Sequence, residues 1–97
     1  MYLLVAYDVS TVTPAGRKRL RRVAKVCLDY GQRVQNSVFE CDVAPADYVA
    51  FKQRILKIID PEADSVRFYN LGHKWRDRVE HYGKNDAYDT EGLLLVE

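Results

Sequence analysis

The chain has 97 residues, 47% of them hydrophobic, and its 15 Lys and Arg against 14 Asp and Glu give a formal net charge of +1. That length makes one small domain, and the composition is that of a globular rather than a disordered chain. The longest apolar run, residues 2–7, is too short for a bilayer span of ~20 residues or for a secretory signal, so we expect no membrane partner. The two cysteines are too few for a disulfide framework, so we expect a cytoplasmic protein.

The first third of the chain predicts a strand followed by a helix. Residues 2–7 are apolar on both alternating faces and end at Asp8, which is typical of a central strand. Thr13, followed by a proline, predicts a helix start, and we expect the helix to run to about Tyr30 and to close on Gly31 in a left-handed cap. Its apolar stripe consists of Leu20, Val23, Ala24 and Cys27.

The next segment, residues 33–43, is strand-like, with Phe39 and Cys41 on one alternating face. Asn36 and Ser37 within it fit either a tight turn or a kink in one long strand. A second helix is expected from Pro45 to about Asp60.

The remaining elements are a strand over residues 65–71, a polar stretch to residue 92 with room for one helical turn or a short strand, and a terminal strand at 93–96. This order predicts an α+β, ferredoxin-like β-α-β-β-α-β sandwich with an extra C-terminal strand, and both helices on one face of an antiparallel sheet. We divide it into a core, residues 1–72, and a C-terminal arm and strand, residues 73–97. A spacer of about twenty residues is long for a compact domain, so we expect the arm to pack on the partner protomer of a homodimer.

Asp8 is the first candidate for chemistry, because it stands where an apolar strand runs out into a loop. It is either a loop-capping residue or a metal ligand. In a dimer, two facing copies of Asp8 could hold one Mg²⁺ or Mn²⁺, which would polarise a phosphodiester and activate a water. Ser10, two residues later, could contact a phosphate or cap the loop.

The second candidate is a basic cluster over residues 17–33, which carry a net charge of +6 while the rest of the chain sums to −5. A solvated helix face is the alternative, but such a face usually mixes signs, and here Asp29 is the one acid. We therefore favour a surface for the phosphate backbone of nucleic acid, which would position the strand without reading bases. Its residues are Arg17, Lys18, Arg19, Arg21, Arg22, Lys25 and Arg33.

Other candidates carry less weight. Phe39 is either a stacking platform for bases or a core residue. Cys27 and Cys41 fall on core faces and fit buried small hydrophobes better than a redox pair. His73 and His81 are too far apart for one helical metal site.

Several motifs, in this order, resemble the small CRISPR-associated proteins of the Cas2 family. They are the strand ending Tyr7-Asp8-Val9, the basic first helix, the Arg33-x-Gln-x-Ser-Val-Phe stretch, residues 64–71 and the tail over 91–96. Residues 74–81 are also similar to the tail of a type I branch.

The resemblance implies a homodimer whose C-terminal strand completes the partner's sheet, with Asp8 as the metal-binding acid at the interface. It further implies that Arg17 and Arg19 lie where the family has its first-helix arginines, and that Arg33 and Phe39 match residues linked to activity. The expected function is a Mg²⁺-dependent endonuclease, acting on RNA or double-stranded DNA, that takes part in spacer acquisition for antiviral defence. The alternative is a non-catalytic DNA-binding scaffold that bridges dimers of the Cas1 integrase. An RNA binder of the RRM kind is disfavoured, since neither central strand carries the basic-aromatic RNP1 pattern.

Overall fold

The sheet order follows from the strand pairings in a computed structural model, which describes residues 1–83. The strands are β1 (Tyr2–Asp8), β2 (Gly31–Gln35), β3 (Val38–Asp42) and β4 (Ser65–Asn70), and the helices are α1 (Pro14–Leu28) and α2 (Tyr48–Leu56), with 3₁₀ turns at Pro45–Asp47 and Trp75–Arg78. All neighbouring strands are antiparallel and lie in the order β2-β3-β1-β4. The predicted α+β, ferredoxin-like arrangement is confirmed.

Both helices pack on one face of the sheet, and alternation along the strands decides which side chains meet them. Leu3, Val5 and Tyr7 of β1 point into this layer, as do Phe39 and Cys41 of β3. They form one core with buried residues of the helices, namely Val23, Ala24, Val26 and Cys27 of α1 and Phe51 and Ile55 of α2. The opposite face of the sheet, which we call the open face, carries the even-numbered residues of β1, and Asp8 ends that row.

Local sequence signals set most element ends. The Thr13 hydroxyl oxygen accepts a hydrogen bond from the Gly16 N–H at 3.0 Å, so the predicted start of α1 is confirmed. Asn36 and Ser37 form a tight turn between β2 and β3, which settles the choice between a turn and a kink. Helix α2 begins after the turn at Pro45 but ends at Leu56, a few residues earlier than expected.

The expectation for Gly31 was wrong. The positive-φ glycines among residues 1–83 are Gly72 and Gly83, and Gly31 instead begins β2. A Cβ atom at Gly31 would collide with the backbone carbonyl of Glu40 on the neighbouring strand, so close approach between strands, rather than a left-handed cap, requires glycine there.

The segment after β4 turns back onto the open face of its own sheet. The Trp75 ring stacks on the Tyr2 ring with centroids 3.8 Å apart, and the Tyr2 hydroxyl donates to Glu40 Oε1 at 3.0 Å. The 3₁₀ turn at Trp75–Arg78 decides between the helical turn and the short strand that the sequence left open for this stretch. The terminal strand expected at residues 93–96 lies outside the described residues.

Candidate metal centre and nucleic-acid interface

Asp8 ends β1 at the edge of the open face. It is exposed and lies opposite Ser65 of β4, and its carboxylate has no hydrogen-bond or ion-pair partner within residues 1–83. A free carboxylate at a strand end is a hard oxygen donor, which suits Mg²⁺ or Mn²⁺. Among the described residues, no three His, Cys, Asp or Glu side chains lie close enough together to form a complete protein ligand set.

The loop that follows Asp8 is fixed by a buried acid from a distant part of the chain. Asp64 Oδ1 accepts the Ser10 N–H at 3.0 Å, and Oδ2 accepts the Asp60 N–H at 2.8 Å. Arg19 donates to the same carboxylate from Nε at 2.8 Å and from Nη2 at 3.3 Å. The Asp64 side chain is 0% exposed, and hydrogen bonds from Arg19 and from these two amides lower its pKa to about 2, against the opposing effect of burial.

Helix α1 holds the other side of that loop. Gly16 is buried, and a Cβ atom there would collide with the Ser10 carbonyl oxygen. Arg17 donates from Nη1 to the Thr11 carbonyl oxygen at 3.1 Å. The Ser10 backbone is therefore held by its hydrogen bond to Asp64 and by its close packing on α1. This limits the positions that the Asp8 carboxylate, two residues earlier, can occupy. Ser10 was a candidate from the sequence, whereas Asp64 was only part of the motif at residues 64–71, with no predicted role.

The predicted basic residues of α1 separate into two groups. Arg19 is committed to the buried Asp64, so its charge is neutralised inside the fold rather than presented to a polyanion. The others are exposed and form no ion pair with residues 1–83; these are Arg17, Lys18, Arg21, Arg22 and Lys25. The nucleic-acid surface predicted for this helix therefore keeps five cations, and Arg19 has a structural contact instead.

Arg33 extends this basic face onto the sheet edge. Its guanidinium carbon lies 5.1 Å from the centroid of the Phe39 ring, on the side of the sheet that carries the helices. Phe39 is 0% exposed, so its ring belongs to the core and is unavailable for stacking on a base. Phe39 instead supports the Arg33 side chain.

An open hollow of about 620 Å³ lies between α1 and the β2–β3 hairpin, and we call it the hairpin hollow. Three cations line it, Arg21 and Lys25 from α1 and Arg33 from β2. Tyr7 also lines it, and its buried hydroxyl has no hydrogen-bond partner among residues 1–83. Burial raises the pKa of Tyr7 to about 12, so the hydroxyl stays a neutral donor.

A second hollow of about 450 Å³ lies between α1 and α2, and we call it the helix cleft. It is lined by Arg22, Lys25 and Val26 of α1 and by Arg54, Lys57 and Ile58 from α2 and the turn after it. Arg54 and Lys57 stand outside the dense run of cations at residues 17–33, so the sequence alone did not single them out. Their spacing of three residues beside the buried Ile55 was the available signal.

The weaker candidates behave as packing residues. Cys27 and Cys41 are buried and unpaired as a disulfide, and the Cys41 thiol lies 3.7 Å from the Cys27 carbonyl oxygen. A hydrogen bond with Cys41, together with burial, raises the pKa of the Cys27 thiol far above its usual range, so it is an inert core residue.

Within residues 1–83, no helix is long and apolar enough to cross a membrane.

These features define a ferredoxin-like domain with a free carboxylate at the end of a central strand and a cationic helical layer. The family model described as CRISPR associated protein Cas2 matches residues 1–79. The chain belongs to this family.

Individual relatives agree over nearly the whole chain. The CRISPR-associated endoribonuclease Cas2 of Chlorobaculum tepidum is 56% identical, with 99% of this chain and 100% of the relative covered. The CRISPR-associated endonuclease Cas2 of Halalkalibacterium halodurans is 47% identical, with 98% of this chain and 99% of the relative covered. The crystal structure of Streptococcus pyogenes Cas2 superposes with a TM-score of 0.78 at 65% identity, covering 86% of this chain and 100% of that one.

Proposed function

We propose that this protein is a metal-dependent endonuclease of the CRISPR adaptation machinery, active as a homodimer. The observation that carries the proposal is the unpartnered Asp8 carboxylate at the end of β1, next to a loop that Asp64 and α1 hold in place. The names of the relatives, endoribonuclease and endonuclease, support hydrolysis of phosphodiester bonds.

One Asp8 carboxylate is an incomplete cation site. A second Asp8 carboxylate could come from another copy of the chain bound to the open face. Leu4 and Ala6 of β1 lie on that face beside Val38 of β3 and the 42%-exposed Tyr69 of β4. A second copy that covered this apolar area would bring its own Asp8 toward the first, because Asp8 ends the same row of side chains. Two carboxylates with water and phosphate oxygens fit the ligand preference of Mg²⁺ or Mn²⁺.

When bound, the metal would supply Lewis-acid polarisation of the phosphodiester and an activated water. The protein's own residues would do the positioning. Asp8 would hold the metal, the exposed cations of α1 would hold the backbone of the substrate, and Arg33 would add a planar guanidinium suited to phosphate oxygens. Since these groups contact phosphate rather than base edges, cleavage would depend little on sequence.

The adaptation role implies a further partner, the Cas1 integrase. A purely structural protein that bridges Cas1 dimers would need the basic layer and the homodimer but not Asp8. The nuclease hypothesis gives the unpartnered Asp8 carboxylate, at the start of a fixed loop, a role as metal ligand. The scaffold hypothesis gives it no role.

The experiment compares wild type with Asp8→Asn and with Asp42→Asn as a matched control. Asp42 is an exposed carboxylate at the other end of the same sheet, roughly 20 Å from Asp8 at ~3.4 Å per strand residue. Each protein is incubated with labelled RNA and with duplex DNA, with Mg²⁺ or Mn²⁺ and with chelator. We expect metal-dependent cleavage by wild type and Asp42→Asn, and a loss of at least about 10²-fold for Asp8→Asn. Cleavage that survives Asp8→Asn overturns the proposal.

Spacer acquisition in cells carrying Asp8→Asn then separates the two roles. Lost acquisition supports the nuclease as the working function, whereas full acquisition assigns this chain to the scaffold.

A further inference from the structure

The helix cleft between α1 and α2 draws its positive charge from both sides. Four of its six lining residues are Arg or Lys, and none is acidic. Two cations come from α1 and two from α2 and its C-terminal cap, and the apolar residues Val26 and Ile58 also line the cleft. The cleft lies on the outer, helical layer, away from the open face of the sheet.

One acid partly offsets this charge. Arg54 donates from Nη2 to Asp29 Oδ2 at 3.1 Å, and both side chains are about half exposed, so the pair is weak in water. Lys57 forms no ion pair with the described residues. The cleft therefore keeps a net positive charge even when Asp29 is counted.

The cleft and the hairpin hollow share one lining residue of α1, Lys25. Arg21 and Arg33 also line the hollow, and Lys57 also lines the cleft. We propose that a nucleic-acid strand crosses α1 at Lys25 and places backbone phosphates in both hollows, so that Arg54 and Lys57 of α2 and its C-terminal turn bind phosphate. This inference rests on the proposed function, since it requires nucleic acid as the substrate.

A polyanion with a regular backbone fits these two hollows better than a single small anion does. Their cations are spread over open surfaces on both sides of one helix, so a single phosphate could occupy only one of them. A nucleic-acid strand carries one charge per nucleotide and can place charges in both hollows at once. The apolar side chains that line the cleft also offer no hydrogen-bonding groups with which to read bases.

The test compares Lys57→Gln with Lys52→Gln, two substitutions that remove the same charge from α2 and its C-terminal cap. Lys52 lies over the Tyr48 ring at 4.6 Å and does not line the cleft. Affinity for a fluorescent 30-base-pair duplex and for an RNA of the same length is measured from 50 to 200 mM KCl. Chelator is present so that the probe stays intact, and thermal melting confirms that each variant is folded.

We expect the log–log salt slope for the duplex to become shallower by about 0.9 for each phosphate that Lys57→Gln no longer neutralises, and to stay at the wild-type value in Lys52→Gln. Between 50 and 200 mM KCl, the affinity of wild type should therefore fall by a factor about 3.5 times larger than the affinity of Lys57→Gln does, for each phosphate lost. Equal slopes for the two variants, with wild type binding normally, would overturn this inference and leave the proposed function standing.

Two further outcomes are informative. If wild type binds neither probe, the proposed function fails together with this inference. If Lys57→Gln weakens binding of poly-glutamate but not of either nucleic acid, the cleft recognises an acidic peptide and the inference is wrong.

Discussion

Arg19 of α1 donates to Asp64, 45 residues away, with 2.8 Å between Arg19 Nε and Asp64 Oδ2. The same carboxylate accepts the Ser10 N–H, so one buried acid joins α1, the loop after Asp8 and the turn before β4. Asp64 therefore acts as a positioning residue for the candidate metal ligand, through the backbone rather than by contact with the metal.

Replacing Asp64 with Asn should destabilise the fold by about 1–3 kcal/mol, because a neutral amide cannot replace the hydrogen bonds that the buried carboxylate accepts from Arg19, Ser10 and Asp60. Urea unfolding of the two proteins measures the difference. Asp47→Asn is the control, since Asp47 is exposed and its side chain makes no cap hydrogen bond, and it should change the free energy of unfolding by less than about 0.5 kcal/mol. Equal stability of Asp64→Asn and Asp47→Asn would contradict the role given to Asp64.

The same ion pair predicts a pH dependence of stability. The pKa of Asp64 is held at about 2, below its ordinary value of 3.8, so the folded state favours the ionised form. Its contribution is therefore complete above about pH 5 and is lost as the pH falls through 2. The difference in unfolding free energy between wild type and Asp64→Asn should shrink between about pH 5 and pH 2. A difference that stays constant across this range would show that the Asp64 charge does not stabilise the fold.

The sequence was sufficient for features that depend on neighbouring residues. Alternation along β3 predicted its core face, the apolar run predicted β1 as a central strand, the Thr13 cap predicted the start of α1, and the run of cations predicted a basic helix. Asp64 could not be found this way, since its partners come from three separate segments and meet only when the sheet and α1 pack together. The helix cleft could not be predicted either, because Lys57 comes close to the cations of α1 only when α2 packs against α1.

Arg19 and Arg22 should behave oppositely when each is changed to Gln. Arg22→Gln removes an exposed cation, so the salt slope for duplex DNA should fall by about 0.9 per phosphate released while stability stays unchanged. Arg19→Gln leaves the buried Asp64 carboxylate without its counter-charge, so it should lower the free energy of unfolding clearly, with little change in the salt slope. Titration of duplex DNA at several salt concentrations, paired with urea unfolding, tests both. A reduced slope for a fully stable Arg19→Gln would return Arg19 to the nucleic-acid surface.

The last prediction concerns the open face. Leu4→Lys places a charge at its centre, beside Glu40 and Tyr69, where a single copy tolerates it because the lysine meets a carboxylate and water. A homodimer that covers this face would have to bury the charge, so Leu4→Lys should sediment as a monomer while wild type sediments as a dimer.

The consequence for the metal separates this from a simple loss of association. If two copies of Asp8 share one cation, monomeric Leu4→Lys should lose metal-dependent cleavage and Mn²⁺ binding together, with its circular dichroism spectrum unchanged. Lys52→Gln, which alters the helical layer instead, should remain dimeric. A monomeric Leu4→Lys that still binds Mn²⁺ with wild-type affinity would show that one Asp8 is enough, and that the second carboxylate has no part in the site.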